Sequence, residues 1–118
     1  MSTAQLQFET EDRQGVHVVR ISGPLDSMTF SQFRAYMDPL VDQANKRILL
    51  DCADLTYLNS RGVALLLHYQ RSCNLKLTFF GITEVPPRIA KGVEMLGLRK
   101  MLSWYPSLET AMEVAAAM

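Results

Sequence analysis

The residues that restrict the possible folds most form one continuous segment in the middle of the chain. It begins with the apolar run RILL at residues 47–50, passes through a polar turn at residues 51–54, and reaches Asn59-Ser60, a pair favoured at helix starts. Residues 61–72 follow with apolar side chains on one stripe, which predicts a heavily buried helix. The residues expected on that stripe include Val63, Leu66 and Leu67. A buried strand that feeds a buried helix is typical of parallel α/β sheets.

The chain before this segment predicts a hairpin and a helix. Residues 6–10 alternate between apolar and polar, and the β-branched run at residues 16–21 can pair with them before residues 22–24 break the strand. Apolar residues then recur every three or four positions over residues 30–44, as on one face of a helix. Pro39 lies inside that pattern and predicts a kink or a restart of the helix, with the preceding residue as its cap.

The chain after this segment predicts two more strands, each followed by a helix. The alternating run at residues 75–80 predicts a strand. Pro86-Pro87 opens a helix that stops at Gly97, since proline suits a first helical turn and glycine a helix end. A short edge strand is expected at residues 101–104, and Pro106-Ser107 caps the last helix. The predicted fold is therefore α/β, with a mixed, mainly parallel sheet of about five strands and about four helices.

Length and composition bound the class of protein. The 118 residues suit a single domain, residues 1–118, and 48% apolar with 20% charged side chains is an ordinary globular balance. Basic and acidic side chains number 12 each, so the formal net charge is zero, which argues against nucleic-acid binding. No run reaches the ~18 apolar residues of a membrane span, and the acidic N-terminal segment does not predict a signal peptide. Cys52 and Cys73 lie in apolar segments and are expected to be buried thiols of a cytoplasmic protein.

Three segments, in this order, resemble the STAS domain family, which includes the bacterial anti-sigma factor antagonists. Gly23-Pro24-Leu25-Asp26 with Thr29 is similar to the family's G-x-L-D-x-x-T entry to the first helix. The segment ILLDCADLTYLNSRGVALLL is similar to its apolar strand, D-x-[ST]-x-L-x-[FY]-[IL]-D-S-[ST]-G turn and apolar helix. The third segment, GITEVPPRIAKGVEMLGLRKMLSWYPSLETAM, resembles its proline-opened helix, T-G-L turn and final helix. The resemblance extends from about Leu6 to Ala115 and implies the STAS fold.

What this resemblance implies is regulation by partner binding. In antagonists of this type, the unphosphorylated domain sequesters an anti-sigma factor that is also a serine kinase, which relieves inhibition of the sigma factor. Phosphorylation of a hydroxyl at the D-S-[ST]-G turn then releases the complex. Carried over to this chain, the resemblance makes Ser60 the phosphorylation candidate. It implies a partner-binding surface made of Asp26, Thr29, Asn59, Ser60, Arg61 and Gly62.

Two residues of the turn depart from the family pattern. Asn59 stands where the family usually has Asp, and Arg61 replaces a second hydroxyl residue that is the phosphate acceptor in some members. The turn is therefore about two charges more positive than the usual one. Either Arg61 neutralises a phosphate on Ser60 and the switch works with altered energetics, or the switch is lost and binding is constitutive. Ser60 is equally compatible with a plain helix cap.

Two other functions are compatible with the residues. The first keeps the fold and makes the chain a non-phosphorylated STAS subunit of a larger assembly, such as a lipid-transport ATPase or a stress-signalling scaffold. The second is a small hydrolase using Ser60 and His68, but eight residues of helix would separate them by ~12 Å, beyond hydrogen-bond reach. Neither His17 nor His68 has a ligand cluster nearby in the sequence. We therefore expect no metal, no cofactor and no enzymatic activity.

Overall fold

The computed structural model describes residues 5–118, in which a hairpin is followed by alternating helices and strands. Residues 1–4, which the predicted single domain includes, lie outside the described residues. The strands are β1 (Gln7–Arg13), β2 (Val16–Leu25), β3 (Arg47–Leu58), β4 (Phe80–Thr83) and β5 (Trp104–Tyr105). The helices are α1 (Phe30–Asp42), α2 (Ser60–Leu75), α3 (Pro87–Met95) and α4 (Leu108–Ala116), with a 3₁₀ turn at Arg99–Met101. No helix within residues 5–118 is both long and apolar enough to cross a bilayer.

The five strands form one sheet in chain order, β1-β2-β3-β4-β5. Strand β1 pairs with β2 in the antiparallel direction, and every later pair is parallel, which confirms the mixed, mainly parallel sheet. Side chains of a strand alternate between its faces. Ile48 and Leu50 therefore join a core with α1, α2 and α3, while Leu49 faces α4 on the opposite side. Because both faces are covered here, the run Ile48–Leu50 of β3 is apolar without interruption.

The predicted strand break at residues 22–24 and the predicted polar turn at residues 51–54 are both wrong. Strands β2 and β3 run on together as far as the pair Leu25–Leu58. Asp51 can occupy a strand position because its side chain is hydrogen-bonded. The buried Asp51 carboxylate accepts hydrogen bonds from Arg20 Nε and Nη2, each at 3.3 Å. Two register shifts in β2 absorb the irregular backbone around the proline.

The strand predicted at residues 75–80 is also misplaced. Helix α2 includes Leu75, and β4 starts only at Phe80. The helix ends in a Schellman motif, in which the Leu77 N–H bonds to the Asn74 carbonyl at 3.1 Å and the Thr78 N–H bonds to the Cys73 carbonyl at 3.0 Å. Leu77 occupies the left-handed position, with φ of 58°, where glycine is usual. The sequence thus carries no glycine signal for this helix end.

Pro39 does not interrupt α1, which runs through it as one helix. The amide hydrogen that proline lacks would have bonded to the carbonyl of Ala35. Because Ala35 is exposed, water can satisfy that carbonyl, and the helix continues. The predicted cap Asp38 is therefore an ordinary helical residue, and its Oδ1 accepts the buried hydroxyl of Tyr69 at 2.5 Å.

Cys52 makes the stability of the fold sensitive to alkaline pH. Both predicted buried thiols are free and buried, and burial, followed by the neighbouring Asp51 carboxylate, raises the pKa of Cys52 to about 12. Above about pH 9 the unfolded chain loses a thiol proton that the folded chain keeps, so the free energy of unfolding falls as pH rises. One such thiol contributes a slope that approaches about 1.4 kcal/mol per pH unit.

We expect urea denaturation to show lower stability at about pH 10 than at about pH 8, and a smaller difference in Cys52→Ala. Burial also raises the pKa of Cys73 and of Tyr69, so part of the decline persists in the variant. Equal declines in the two proteins would show that Cys52 does not contribute.

Candidate functional site

Two chain segments meet where β2 and β3 end. Leu25 lies opposite Leu58 in the parallel pair, and the Asn59 N–H donates to the Leu25 carbonyl at 3.2 Å. The loop at residues 26–29, which leads into α1, therefore lies beside the turn at residues 59–62, which begins α2. We call residues 26–29 and 59–62 together the paired-loop surface. It contains all six residues that the sequence proposes for partner binding.

Asp26 and Thr29 hold the first loop in shape. Asp26 Oδ1 accepts the N–H groups of Met28 at 2.9 Å and of Thr29 at 3.1 Å. The Thr29 hydroxyl donates to the Pro24 carbonyl at 2.8 Å and accepts the Asp26 N–H at 3.0 Å. Thr29 is buried, whereas Met28 at the loop tip is 75% exposed. Thr29 thus shapes the loop from inside, and Met28 is an exposed contact residue that the sequence did not single out.

Asn59, and not Ser60, caps helix α2. Its side-chain Oδ1 accepts the Gly62 N–H at 2.8 Å, so the alternative that Ser60 is a plain helix cap is wrong. Such a cap stabilises a helix by about 1 kcal/mol, and an amide oxygen accepts the bond without the charge of an aspartate. Ser60 is the first residue of the helix and is exposed. Its hydroxyl is therefore free of the capping role and accessible from solvent.

Gly62 lets α2 approach the strand ends closely. A Cβ atom at this position would lie 2.8 Å from Leu58 Cδ1 and 3.0 Å from Leu25 Cγ. These distances are shorter than side-chain packing allows, so a larger residue would force Leu58, Leu25 or the start of α2 to shift. Gly62 is buried and lets α2 begin close to the strand ends, without offering a side chain to a partner.

Arg61 connects the turn at residues 59–62 to the start of α1. Its guanidinium carbon lies 4.0 Å from the centre of the Phe30 ring, in a cation–π contact with the first residue of α1. Among residues 5–118, no carboxylate lies within 4 Å of this guanidinium. The positive end of the α2 dipole adds to its charge. The surface around Ser60 therefore favours an anion.

An apolar groove of about 440 Å³ adjoins Ser60, between the end of β3 and helix α3. Tyr57 is 53% exposed and Leu96 is 49% exposed along it, and neither was proposed as a site residue from the sequence. Tyr57 could have been proposed from the sequence because it lies two residues before Asn59, which begins the turn. Leu96 directly follows α3, and its exposure depends on how that helix packs against the sheet.

The two histidines lie on different elements, His17 on β2 and His68 on α2. His68 is exposed on α2, and His17 Nδ1 is 3.6 Å from Asp12 Oδ1 across the hairpin. Within the described residues, no three His, Cys, Asp or Glu side chains are grouped as a metal site would require.

Comparison with known proteins identifies the family. The sequence profile of the STAS domain matches residues 7–111. The chain belongs to the STAS domain family. This STAS domain is 31% identical over 101 residues to the anti-sigma F factor antagonist of Paenibacillus polymyxa, an alignment that covers 85% of this chain and 86% of that protein.

Solved structures agree on the STAS fold. An anti-sigma factor antagonist from Mycobacterium paratuberculosis superposes with a TM-score of 0.83 at 24% identity, covering 93% of each chain. The Bacillus cell fate determinant SpoIIAA in its phosphorylated form superposes with a TM-score of 0.66 at 23% identity, covering 92% of this chain and 98% of that one. At these identities the structural likeness supports the fold, and the role of each residue has to be argued from this chain.

Proposed function

We propose that this STAS domain is an anti-sigma factor antagonist, which sequesters an anti-sigma factor of the serine-kinase type and so relieves inhibition of a sigma factor. The relative from Paenibacillus polymyxa, aligned over most of both chains, supports this role. The observation that carries the proposal is the exposed Ser60 hydroxyl at the first turn of α2, released from capping by Asn59. The paired-loop surface around it is the docking site.

Phosphorylation of Ser60 would release the partner without unfolding the domain. A phosphate adds about −1.5 to −2 charges and three acceptor oxygens. The N-terminus of a 16-residue helix accommodates that charge, since its free N–H groups and its dipole favour an anion. Arg61, one residue away, neutralises part of the phosphate charge. Its single positive charge cannot balance a phosphate that carries close to two negative charges. The phosphate therefore still opposes an interface formed with the uncharged serine.

The proposal assigns binding, and not catalysis, to this surface. Among residues 5–118 the Ser60 hydroxyl has no hydrogen-bonded base, and His68 lies two helical turns along α2, too far to activate it as a nucleophile. A cytoplasmic location belongs to the same proposal, because the two buried cysteines are free thiols of the kind found in reducing compartments.

The test is to isolate the complex from the native host and identify the partner by mass spectrometry. A kinase-like anti-sigma factor should be recovered and should bind the purified chain in a calorimetric titration. With ATP it should place one phosphate on Ser60, and Ser60→Ala should bind but carry no phosphate. A transporter ATPase recovered in place of the anti-sigma factor would instead support the role of a subunit in a larger assembly.

A further inference from the structure

The groove beside Ser60 is shaped and lined to accept an apolar side chain. Tyr57 lies on its strand side, Ile89 and Leu96 lie on its α3 side, and Val93 contributes to its buried part. Exposed aromatic and aliphatic side chains that line a concavity are a common feature of protein interfaces. Ser60 stands on the rim, so a molecule seated in the groove would contact the residue proposed as the switch.

Gly92 keeps this groove open. It lies inside α3, where glycine destabilises a helix by about 1 kcal/mol relative to alanine. A Cβ atom at Gly92 would meet nothing within 4 Å beyond its chain neighbours and its own helix backbone, and the backbone there is helical. Neither packing nor backbone conformation therefore requires glycine at this position. Its effect is that the helix side of the groove lacks a side chain at this lining position.

Two positively charged side chains lie beside the groove, and none of the described residues that line it is acidic. Arg88 lines the groove, and Arg61 lies on the same helical turn as Ser60. Neither has a carboxylate within 4 Å among residues 5–118. An acidic surface is the complement of such a rim.

We infer that this groove anchors the anti-sigma factor by accepting one apolar side chain from an acidic segment of that partner. The inference rests on the proposed function, because it names the chemistry of that partner's contact. An apolar anchor within a charged rim is the usual arrangement of a specific interface. It also gives phosphorylation of Ser60 a second way to act, since the phosphate would stand at the edge of an apolar contact and oppose the acidic segment.

Filling the groove tests the inference. Gly92→Trp should weaken binding of the host's anti-sigma factor, measured by calorimetry, by about tenfold or more, the loss expected when an interface anchor is displaced. Ala35→Trp is the matched control, since it places the same side chain on an exposed position of α1, and should bind like the wild type. Gly92→Ala should raise Tm by about 4 °C, which shows that the helix tolerates a side chain here.

Reversing the charge of Arg88 tests the inferred contact with an acidic segment, independently of any steric effect in the groove. Arg88→Glu places an acid in the first turn of α3, where the helix dipole favours it, so folding is preserved. It should weaken binding by about tenfold at low salt and less at high salt, whereas Arg13→Glu, at the opposite end of the sheet, should have little effect. If both Gly92→Trp and Arg88→Glu bind with wild-type affinity, the groove is not the anchor site. The proposed role as an antagonist would be unaffected by that result. A wild-type chain that binds no anti-sigma factor would overturn both.

Discussion

Ser60→Asp is expected to weaken the complex with the anti-sigma factor by about 100-fold, which corresponds to about 2.7 kcal/mol. The substitution introduces a fixed negative charge at the exposed first position of α2, against a partner surface that should be acidic. An acid at a helix N-terminus favours the helix, so the variant should unfold at or above the wild-type temperature. Calorimetric titration and thermal unfolding of the same sample would separate loss of binding from loss of structure.

Variants of Arg61 test whether the charge next to Ser60 contributes to the same interface. Arg61→Ala removes a charge and the contact with the Phe30 ring, while Arg61→Glu adds repulsion, so Arg61→Glu should bind more weakly than Arg61→Ala. Arg61→Ser restores the second hydroxyl that is usual in the family and offers the kinase another acceptor. If Ser60→Asp and Arg61→Glu both bind like the wild type, the paired-loop surface is not the interface. If Ser60→Asp abolishes binding and cells never phosphorylate Ser60, the surface is correct and the switch is absent.

Leu66→Ala is expected to destabilise the fold by about 2–5 kcal/mol, because it leaves a cavity in the main core. Leu66 is 3% exposed on α2 and packs in the core formed by α1, α2, α3 and one face of the sheet. Leu67→Ala, one position along the same helix, is the matched control. Leu67 is only half-buried, contrary to its predicted burial, so its truncation should cost less than half as much. Urea denaturation measures both, and equal losses would mean that α2 presents a different face to the sheet.

The order and type of the elements were predictable because the helices and the inner strands carry apolar side chains at regular positions. The ends of elements were harder wherever a tertiary partner overrides a local signal. Asp51 looks like a turn residue in the sequence, yet Arg20, 31 positions earlier in the chain, makes it a buried strand residue. Leu77 looks like a strand residue, yet it sits in the left-handed position that ends α2. Both errors come from contacts or backbone angles that periodicity does not encode.

The candidate site was predictable to a different extent in its two parts. The polar residues were found through the family resemblance, and Asn59 performs the local task that its chemistry suggests, as a helix cap. The exposed apolar residues Met28, Tyr57 and Leu96 were missed, because an apolar side chain in a sequence is normally expected inside the protein. Which apolar residues stay in solvent is decided by how α3 and the two loops pack, and that becomes visible only in three dimensions.

The order of strands in the sheet has a consequence for how the chain is made. Each strand pairs with the one synthesised just before it, so the sheet can grow from β1 towards β5 as the polypeptide leaves the ribosome. Helix α4 is synthesised last, and among the helices of residues 5–118 it is the one that packs on the second face of the sheet, which includes Val18, Leu49 and Phe79. Until residues 108–116 are available, that apolar face is bare. A nascent chain therefore completes all five strands and the first three helices of residues 5–118 while it still exposes this apolar surface, and in that interval it most needs protection from aggregation.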